Sequence, residues 1–272
     1  MTILIKLGGS LITNKSEAKS FRREIVSRIA RQVTRLRALD QNIPIVIGHG
    51  SGSFGHFEAK KYSTIDGVSS DEQRLGFARV GAVAAELSLL VQNEFLAAGL
   101  PTMRFQPSSI MLSSAGRLNS FDSGALSLAL DQGLIPLIHG DIALDERIGG
   151  TIISTESLFA RLVQPLRVTG IILLGAVEGV LDHNDELISC ITPASFAKVR
   201  SSLAGSHGID VTGGMLQKVE TMIALIDERP SLEVFIADGR IEDVLLDLLI
   251  KRSQVGTLIR ADSTPTPSSA RR

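Results

Sequence analysis

The sequence predicts an α/β protein built on a mostly parallel central sheet with helices on both faces. Short apolar, β-branched runs recur along the chain, segments with apolar residues at helical spacing separate them, and several of the runs end abruptly in glycine. Strands separated by helices are joined by crossovers, which lays the strands side by side in parallel and packs the helices above and below them.

Each element follows from its local pattern. Residues 2–7 (TILIKL) form a β-branched run ending at Gly8-Gly9, as a buried strand entering a tight turn would. Residues 21–39 carry Ile25, Ile29, Val33 and Leu36 at helical spacing with arginines elsewhere, an amphipathic surface helix. A second strand at 43–47 runs into a glycine-rich loop at 48–56, and a long helix spans about 71–98. A strand at 101–105, a helix near 123–132 and a strand at 134–138 ending at His139-Gly140-Asp141 come next. The polar stretch 145–150, closed by two glycines and flanked by short apolar pieces, reads as a hairpin. The alternation then resumes with helices at about 156–163, 212–227 and 241–250, and strands at 167–174, 232–237 and 255–259.

The chain has 272 residues, 44% of them hydrophobic, enough for one large domain or two closely joined lobes. The new βα series starting near Arg167 places a lobe boundary there, giving lobes 1–165 and 166–261, and the Ser/Thr/Pro/Arg-rich 262–272 reads as a disordered tail. Lys+Arg 28 against Asp+Glu 29 gives no bulk field to hold nucleic acid or an anionic membrane. Any anion must be handled by a few placed cations. Cys190 is the single cysteine, which excludes an intramolecular disulfide and a cysteine metal cluster. The N-terminus reaches Gly8-Gly9 before a signal core develops, and no apolar run approaches the roughly 20 residues of a bilayer span. The expectation is a soluble, cytoplasmic protein.

Four loops have the composition of phosphate sites. In Lys6-Leu7-Gly8-Gly9-Ser10, with Lys15 close behind, glycines at a strand end let backbone N–H groups converge on an anion while the lysines supply charge; alone, the motif is equally a plain strand–turn with solvated lysines. Gly48–His56 holds four glycines and two serines after a strand, where open α/β sheets bind ligands. It is neither a Walker A loop nor a dinucleotide fingerprint. His56 is suited to donate to a phosphate monoester, or else caps the next helix. In Ile209-Asp210-Val211-Thr212-Gly213-Gly214-Met215, Asp210 or Thr212 can cap a helix that carries Lys218 about one turn inside it, a site for ATP phosphates or an ordinary capped helix. His139-Gly140-Asp141 and Ile152–Glu156 lie at further strand ends, and Glu156 is placed either to hold the lysines or to complement its helix dipole. A doubly wound sheet gathers all four loops on one edge. Phosphoryl transfer needs charge neutralisation and alignment more than covalent chemistry. No Ser/His/Asp or Cys/His set is evident, the five histidines lack compact metal-ligand spacing, and Mg2+ would be held mainly by substrate phosphates.

These residues also carry a family resemblance. KLGGS at Lys6–Ser10, the stretch His49–His56 with AKKY at Ala59–Tyr62, QPSS at Gln106–Ser109, IPLIHGDI at Ile135–Ile142 and IDVTGGM at Ile209–Met215 with Lys218 resemble, in order and spacing, the isopentenyl phosphate kinases of the amino-acid-kinase superfamily, over residues 1–259. The resemblance implies an αβα sandwich with an acceptor lobe followed by a nucleotide lobe, usually a homodimer. It implies phosphorylation of isopentenyl phosphate by ATP in isoprenoid biosynthesis. It further implies that Lys6, Gly8, Gly9, Ser10 and Lys15 hold the ATP and transferring phosphates, with Gly214 and Lys218 on ATP. Gly52 and Ser51 would line the phosphates, His56 the acceptor phosphate, and Glu156 would organise the lysines. Three departures stand out: the family's three-glycine loop reads Gly50-Ser51-Gly52; its Ser-Gly-Asp-Asp reads Ser154-Thr155-Glu156-Ser157, which puts Thr155 at an acceptor-contacting position; and its Thr-Asp-Val-Asp-Gly reads Gly175-Ala176-Val177-Glu178-Gly179. A fosfomycin-type kinase and a nucleotide-binding or storage protein of the same fold are the alternative functions.

Overall fold

The structure, a computed structural model, describes residues 2–262 apart from Lys15, 41–42, 63–66, 206–213, Arg252 and Gln254. Of the expected tail at 262–272, all but Asp262 lies outside the described residues. The chain runs β1 (Thr2–Leu7), the single turn α1 (Gly9–Ile12), α2 (Arg23–Leu39), β2 (Ile45–His49), α3 (Gly52–Tyr62), α4 (Asp71–Ala97) and β3 (Thr102–Arg104). It continues through the hairpin β4 (Met111–Ser114) and β5 (Arg117–Phe121), α5 (Gly124–Asp131), β6 (Ile135–His139) and the hairpin β7 (Asp141–Asp145) and β8 (Gly149–Ile153). The remainder is α6 (Thr155–Leu162), β9 (Val168–Gly175), β10 (Cys190–Ile191), α7 (Pro193–Gly205), α8 (Gly214–Glu228), β11 (Glu233–Asp238), α9 (Val244–Leu246) and β12 (Thr257–Ile259).

Eight strands form the central sheet in the order β10-β12-β11-β9-β1-β2-β6-β3, and β5-β4-β7-β8 form a second, smaller sheet. The central sheet is parallel from β3 to β11, while β12 turns antiparallel at the far edge. Every residue of β1 is buried. Its alternation divides the core: Ile3, Ile5 and Leu7 pack with α2, α4 and α9, whereas Leu4 packs on the opposite face with α6 and α8. β1 and β9, which lie on either side of the boundary expected near Arg167, pair within one continuous sheet. From β1 the chain moves towards β2, and from β9 it moves the other way towards β11. Diverging connections open a crevice at the carboxyl ends of adjacent strands.

The structure differs from the sequence pattern in several places. The glycine-rich stretch 48–56 is a loop only at Gly50-Ser51, because α3 already starts at Gly52. The β4–β5 hairpin and α7 were not expected. The helix expected at 241–250 begins at Val244 and widens into a π turn at Asp247–Lys251. By length and composition α4 would also cross a bilayer, although half of its most apolar stretch is buried inside the protein. Val83, Leu87, Val91 and Phe95 make it a core helix, packed beside the central sheet.

Asp145 fastens the two hairpins of the small sheet together. Its carboxylate accepts the backbone N–H groups of Ala115 and Gly116 in the β4–β5 turn, at 3.0 and 2.8 Å. It also accepts those of Arg147 and Ile148 in its own turn, at 2.9 and 3.0 Å. Burial would raise its pKa, but these donors outweigh burial and hold the carboxyl well below the usual range. Asp145→Asn should therefore destabilise the fold by roughly 2–3 kcal/mol at neutral pH, since an amide replaces a charged acceptor of several donors. A depressed folded pKa contributes stability that is complete above the unfolded value of about 3.9 and is lost as pH falls below it. The gap between wild type and Asp145→Asn should accordingly narrow in acid. Urea titrations at pH 7 and pH 3 that give the same gap would refute this.

Candidate functional site

Strand alternation sends Lys6 to Leu4's face of the sheet, where α6 begins. Ser154 caps that helix, its Oγ accepting the Ser157 N–H at 3.1 Å, and this places Glu156 in the first turn. Lys6 Nζ lies 2.8 Å from Glu156 Oε1, with both side chains about nine-tenths buried. Burial alone would raise the Glu156 pKa. The Lys6 charge and hydrogen bond, joined by the charge of Lys218, outweigh it and hold the carboxyl below its ordinary value. Lys218 therefore belongs to the same cluster. It sits one turn inside α8, whose first residue is Gly214. The Lys6–Glu156 hydrogen bond and the Lys218 charge that acts on the same carboxyl thus come from three separate elements.

The glycine turns meet backbone to backbone. A Cβ on Gly9 would stand 2.6 Å from the Gly52 nitrogen, and one on Gly50 3.0 Å from the Gly9 nitrogen. The Gly50 N–H also bonds the Leu7 carbonyl at 3.0 Å. Gly52 adopts φ +49, and Thr13 Oγ1 locks this corner by accepting the Ser53 N–H at 2.9 Å and donating to the Gly9 carbonyl at 2.7 Å. One expectation needs correction. The Gly8 N–H is already committed to the Leu174 carbonyl at 2.8 Å, so Gly8 joins β1 to β9 instead of offering its amide to a phosphate. Gly9 and Ser10 open α1, where the first N–H groups of a helix lack intrahelical acceptors.

Ser51 of the 50–52 turn borders a cleft of about 370 Å³. Ser51, Gly55, His56 and Lys60 line one side, and Val80, Ala84, Gly140, Asp141 and Ile152 are among the residues on the others. Thr155, expected at the acceptor, is 1% exposed and donates its hydroxyl to the His49 carbonyl at 2.6 Å. Its methyl stands against Gly48. The side chain thereby ties α6 to the end of β2, with its hydroxyl and its methyl both engaged by β2.

His49 and His139 are neighbours in register on β2 and β6, with stacked rings 5.3 Å apart. Burial, reinforced by mutual repulsion at His49 and by Arg104 at both, pushes each down to about 3. Both are neutral at physiological pH. Asp141 accepts Gln106 Nε2 at 2.6 Å and the Ser108 N–H at 3.0 Å, so the QPSS turn is fastened to the cleft wall. Burial raises the Asp141 pKa in spite of these donors.

Lys15, Asp210 and Thr212 lie outside the described residues. Among those described, no group of three His, Cys, Asp or Glu side chains could hold a metal ion. The sequence reading left Lys60 out of the site. The missing signal was a helix starting inside the glycine-rich stretch, which puts Lys60 four residues after His56 on one face.

Glu156→Gln keeps the shape of the side chain and removes the charge that two lysines face. Breaking a buried pair in this way should cost roughly 3 kcal/mol of stability. Because the folded pKa is depressed, that contribution is complete above the unfolded value of about 4.3 and disappears as pH falls below it. Equal denaturation midpoints for the two proteins at pH 7 would show the pair to be energetically idle.

The amino acid kinase family model matches residues 1–238. The chain is 32% identical over 228 residues to the isopentenyl phosphate kinase of Methanocaldococcus jannaschii, which covers 81% of this chain and 86% of that protein. It is 31% identical over 268 residues to the isopentenyl phosphate kinase of Methanothermobacter thermautotrophicus, with 93% and 98% covered. A solved isopentenyl phosphate kinase structure superposes with a TM-score of 0.78 at 26% identity, over 95% of this chain and 100% of the other. Similarity that runs from the β1 lysine through the α8 lysine places the chain in the amino acid kinase family, among its isopentenyl phosphate kinases.

Proposed function

We propose that this protein transfers the γ-phosphoryl group of ATP to isopentenyl phosphate, yielding isopentenyl diphosphate and ADP. The observation that carries the reading is a buried Lys6–Glu156 pair, within the field of Lys218, in a protein whose cleft beside Ser51 joins His56 and Lys60 to the apolar Val80, Ala84 and Ile152. A cluster that neutralises phosphates beside a slot for a short hydrocarbon suits an acceptor with exactly those two ends.

In this reading an oxygen of the acceptor phosphate attacks the γ-phosphorus. The bond from phosphorus to the β,γ-bridging oxygen breaks, and its electron pair leaves with ADP. Lys6 and Lys218 draw charge from the transferring group while Glu156 keeps them aimed. Lys15 adds to the donor side, and Gly9, Ser10, Gly52 and Gly214 let backbone approach the phosphates. His56 and Ser51 hold the acceptor phosphate, and Val80, Ala84 and Ile152 contact its isoprenoid chain. ATP would carry Mg2+, which would be held mainly by the phosphates and would neutralise their oxygens. Residues 1–165 serve the acceptor and 166–261 the nucleotide. The chain acts as a homodimer, which the β3 edge supports: Met103 on that strand and Leu89 and Leu96 on α4 are exposed there, and Gln92 between those leucines bonds the Thr102 carbonyl at 2.9 Å.

A coupled ADP-release assay with isopentenyl phosphate, dimethylallyl phosphate and fosfomycin tests the proposal. The two isoprenoid phosphates should be turned over, and a preference for fosfomycin would overturn the acceptor. His56→Ala should lose on the order of a hundredfold in kcat/KM for isopentenyl phosphate while ATP affinity stays near wild type. His56→Gln keeps a donor without a cation and should fall between. Unchanged acceptor kinetics in a stably folded His56→Ala protein would remove this residue from the mechanism.

A further inference from the structure

The acceptor cleft holds one more cation than the mechanism above employs. Lys60 follows His56 by four residues on α3, and side chains at that spacing stand on the same helix face. Both line the cleft, together with Ser51 and the apolar Val80 and Ile152. The adjacent lysine is occupied elsewhere, since Lys61 Nζ lies 5.0 Å from the centroid of the Tyr62 ring. Only one of the two lysines is therefore directed to the cleft.

The charge balance of the cleft calls for such a group. A phosphate monoester carries about −1.5 to −2 near neutrality. Transfer from ATP leaves on the acceptor a diphosphate with about one further negative charge, as ADP departs with one fewer than ATP. An imidazole supplies at most one positive charge. His49 and His139 supply none, because burial holds both neutral. Asp141 contributes a carboxylate to the wall, its oxygens already occupied by Gln106, Ser108 and Ile142. Lys6 and Lys218 share their charge with Glu156 on the donor side.

We propose that Lys60 is a second acceptor-phosphate ligand, whose ammonium contacts the phosphate monoester with His56 and stays with it as it becomes a diphosphate. The inference rests on the phosphoryl-transfer reading above. Its exposure suits capture: Lys60 is exposed to solvent while lining the cleft, and a lysine's four-carbon stem lets it follow the phosphate as charge builds.

Steady-state kinetics on three variants test it. Lys60→Gln should raise KM for isopentenyl phosphate about tenfold, with KM for ATP unchanged, because only the acceptor loses a charged partner. Lys60→Arg keeps a cation and should stay within about threefold of wild type. Lys61→Gln should match wild type. Inorganic pyrophosphate, as a stand-in for the product's diphosphate, should inhibit Lys60→Gln about tenfold less well than wild type. Wild-type turnover with unchanged acceptor KM and pyrophosphate inhibition in Lys60→Gln would overturn the role of Lys60 and leave the function intact. An equal rise in KM for ATP would also overturn it, as a general field effect. A wild-type protein that phosphorylates neither isoprenoid phosphates nor fosfomycin would overturn the function, and this assignment with it. A variant that unfolds is recognised by circular dichroism, and Lys60→Met then takes the same measurements.

Discussion

A charge pair buried between the central strand and a helix of the covering layer organises this protein. Lys6 and Glu156 are 150 residues apart in sequence and 2.8 Å apart in space. Neither would be tolerated alone at this depth, because an isolated buried charge is expensive. Together they constrain where β1 ends, where α6 starts and how far α8 stands from both. The first turn of α6 helps, since a helix N-terminus favours a carboxylate. Lys218 then enters a site whose negative charge is already in place.

The second constraint is closeness of backbone. Gly9, Gly50 and Gly52 touch with no room for a Cβ between them, and Gly48 lies against Thr155 and Phe159. Packing this tight makes the turn between the two halves of the site rigid. A rigid set of N–H groups and lysines needs no reorganisation when a transferring phosphoryl group spreads its charge. The cleft wall is held in the same manner from further out, by Asp141 on the QPSS turn and by Asp145 across the hairpins.

The departures from the family pattern acquire a physical meaning in this setting. Glu156 stands where the pattern has an aspartate, and its longer side chain reaches Lys6 at hydrogen-bond distance. The neighbouring Thr155 stands where the pattern has glycine. Its hydroxyl is tied to the His49 carbonyl and its methyl to the β2 end, which anchors the start of the helix that carries the carboxylate. The two substitutions sit side by side in one helical turn and act on the same geometry.

Much of the fold was legible in local pattern. The β-branched runs at 2–7, 134–138 and 167–174 and the spaced apolar residues at 21–39 report burial on one or two faces, which is a property of each segment and its own periodicity. Lys6, Gly8, Gly9 and the glycines after β2 were legible for the same reason: they stand at strand ends, and parallel sheets gather those ends. What no segment reveals is which strand lies beside which. The pairing of β1 with β9, and hence the commitment of the Gly8 amide to Leu174, depends on the strand order of the whole sheet. Glycine composition likewise disguised α3, because a glycine's weak helix propensity was overruled by packing on α1 and α4. With α3 hidden, the direction of Lys60 was hidden too. Composition and periodicity determined the layers and the residues available for phosphate chemistry. Tertiary structure alone decided which of them face a ligand and which face one another, since that depends on contacts between segments far apart in the chain.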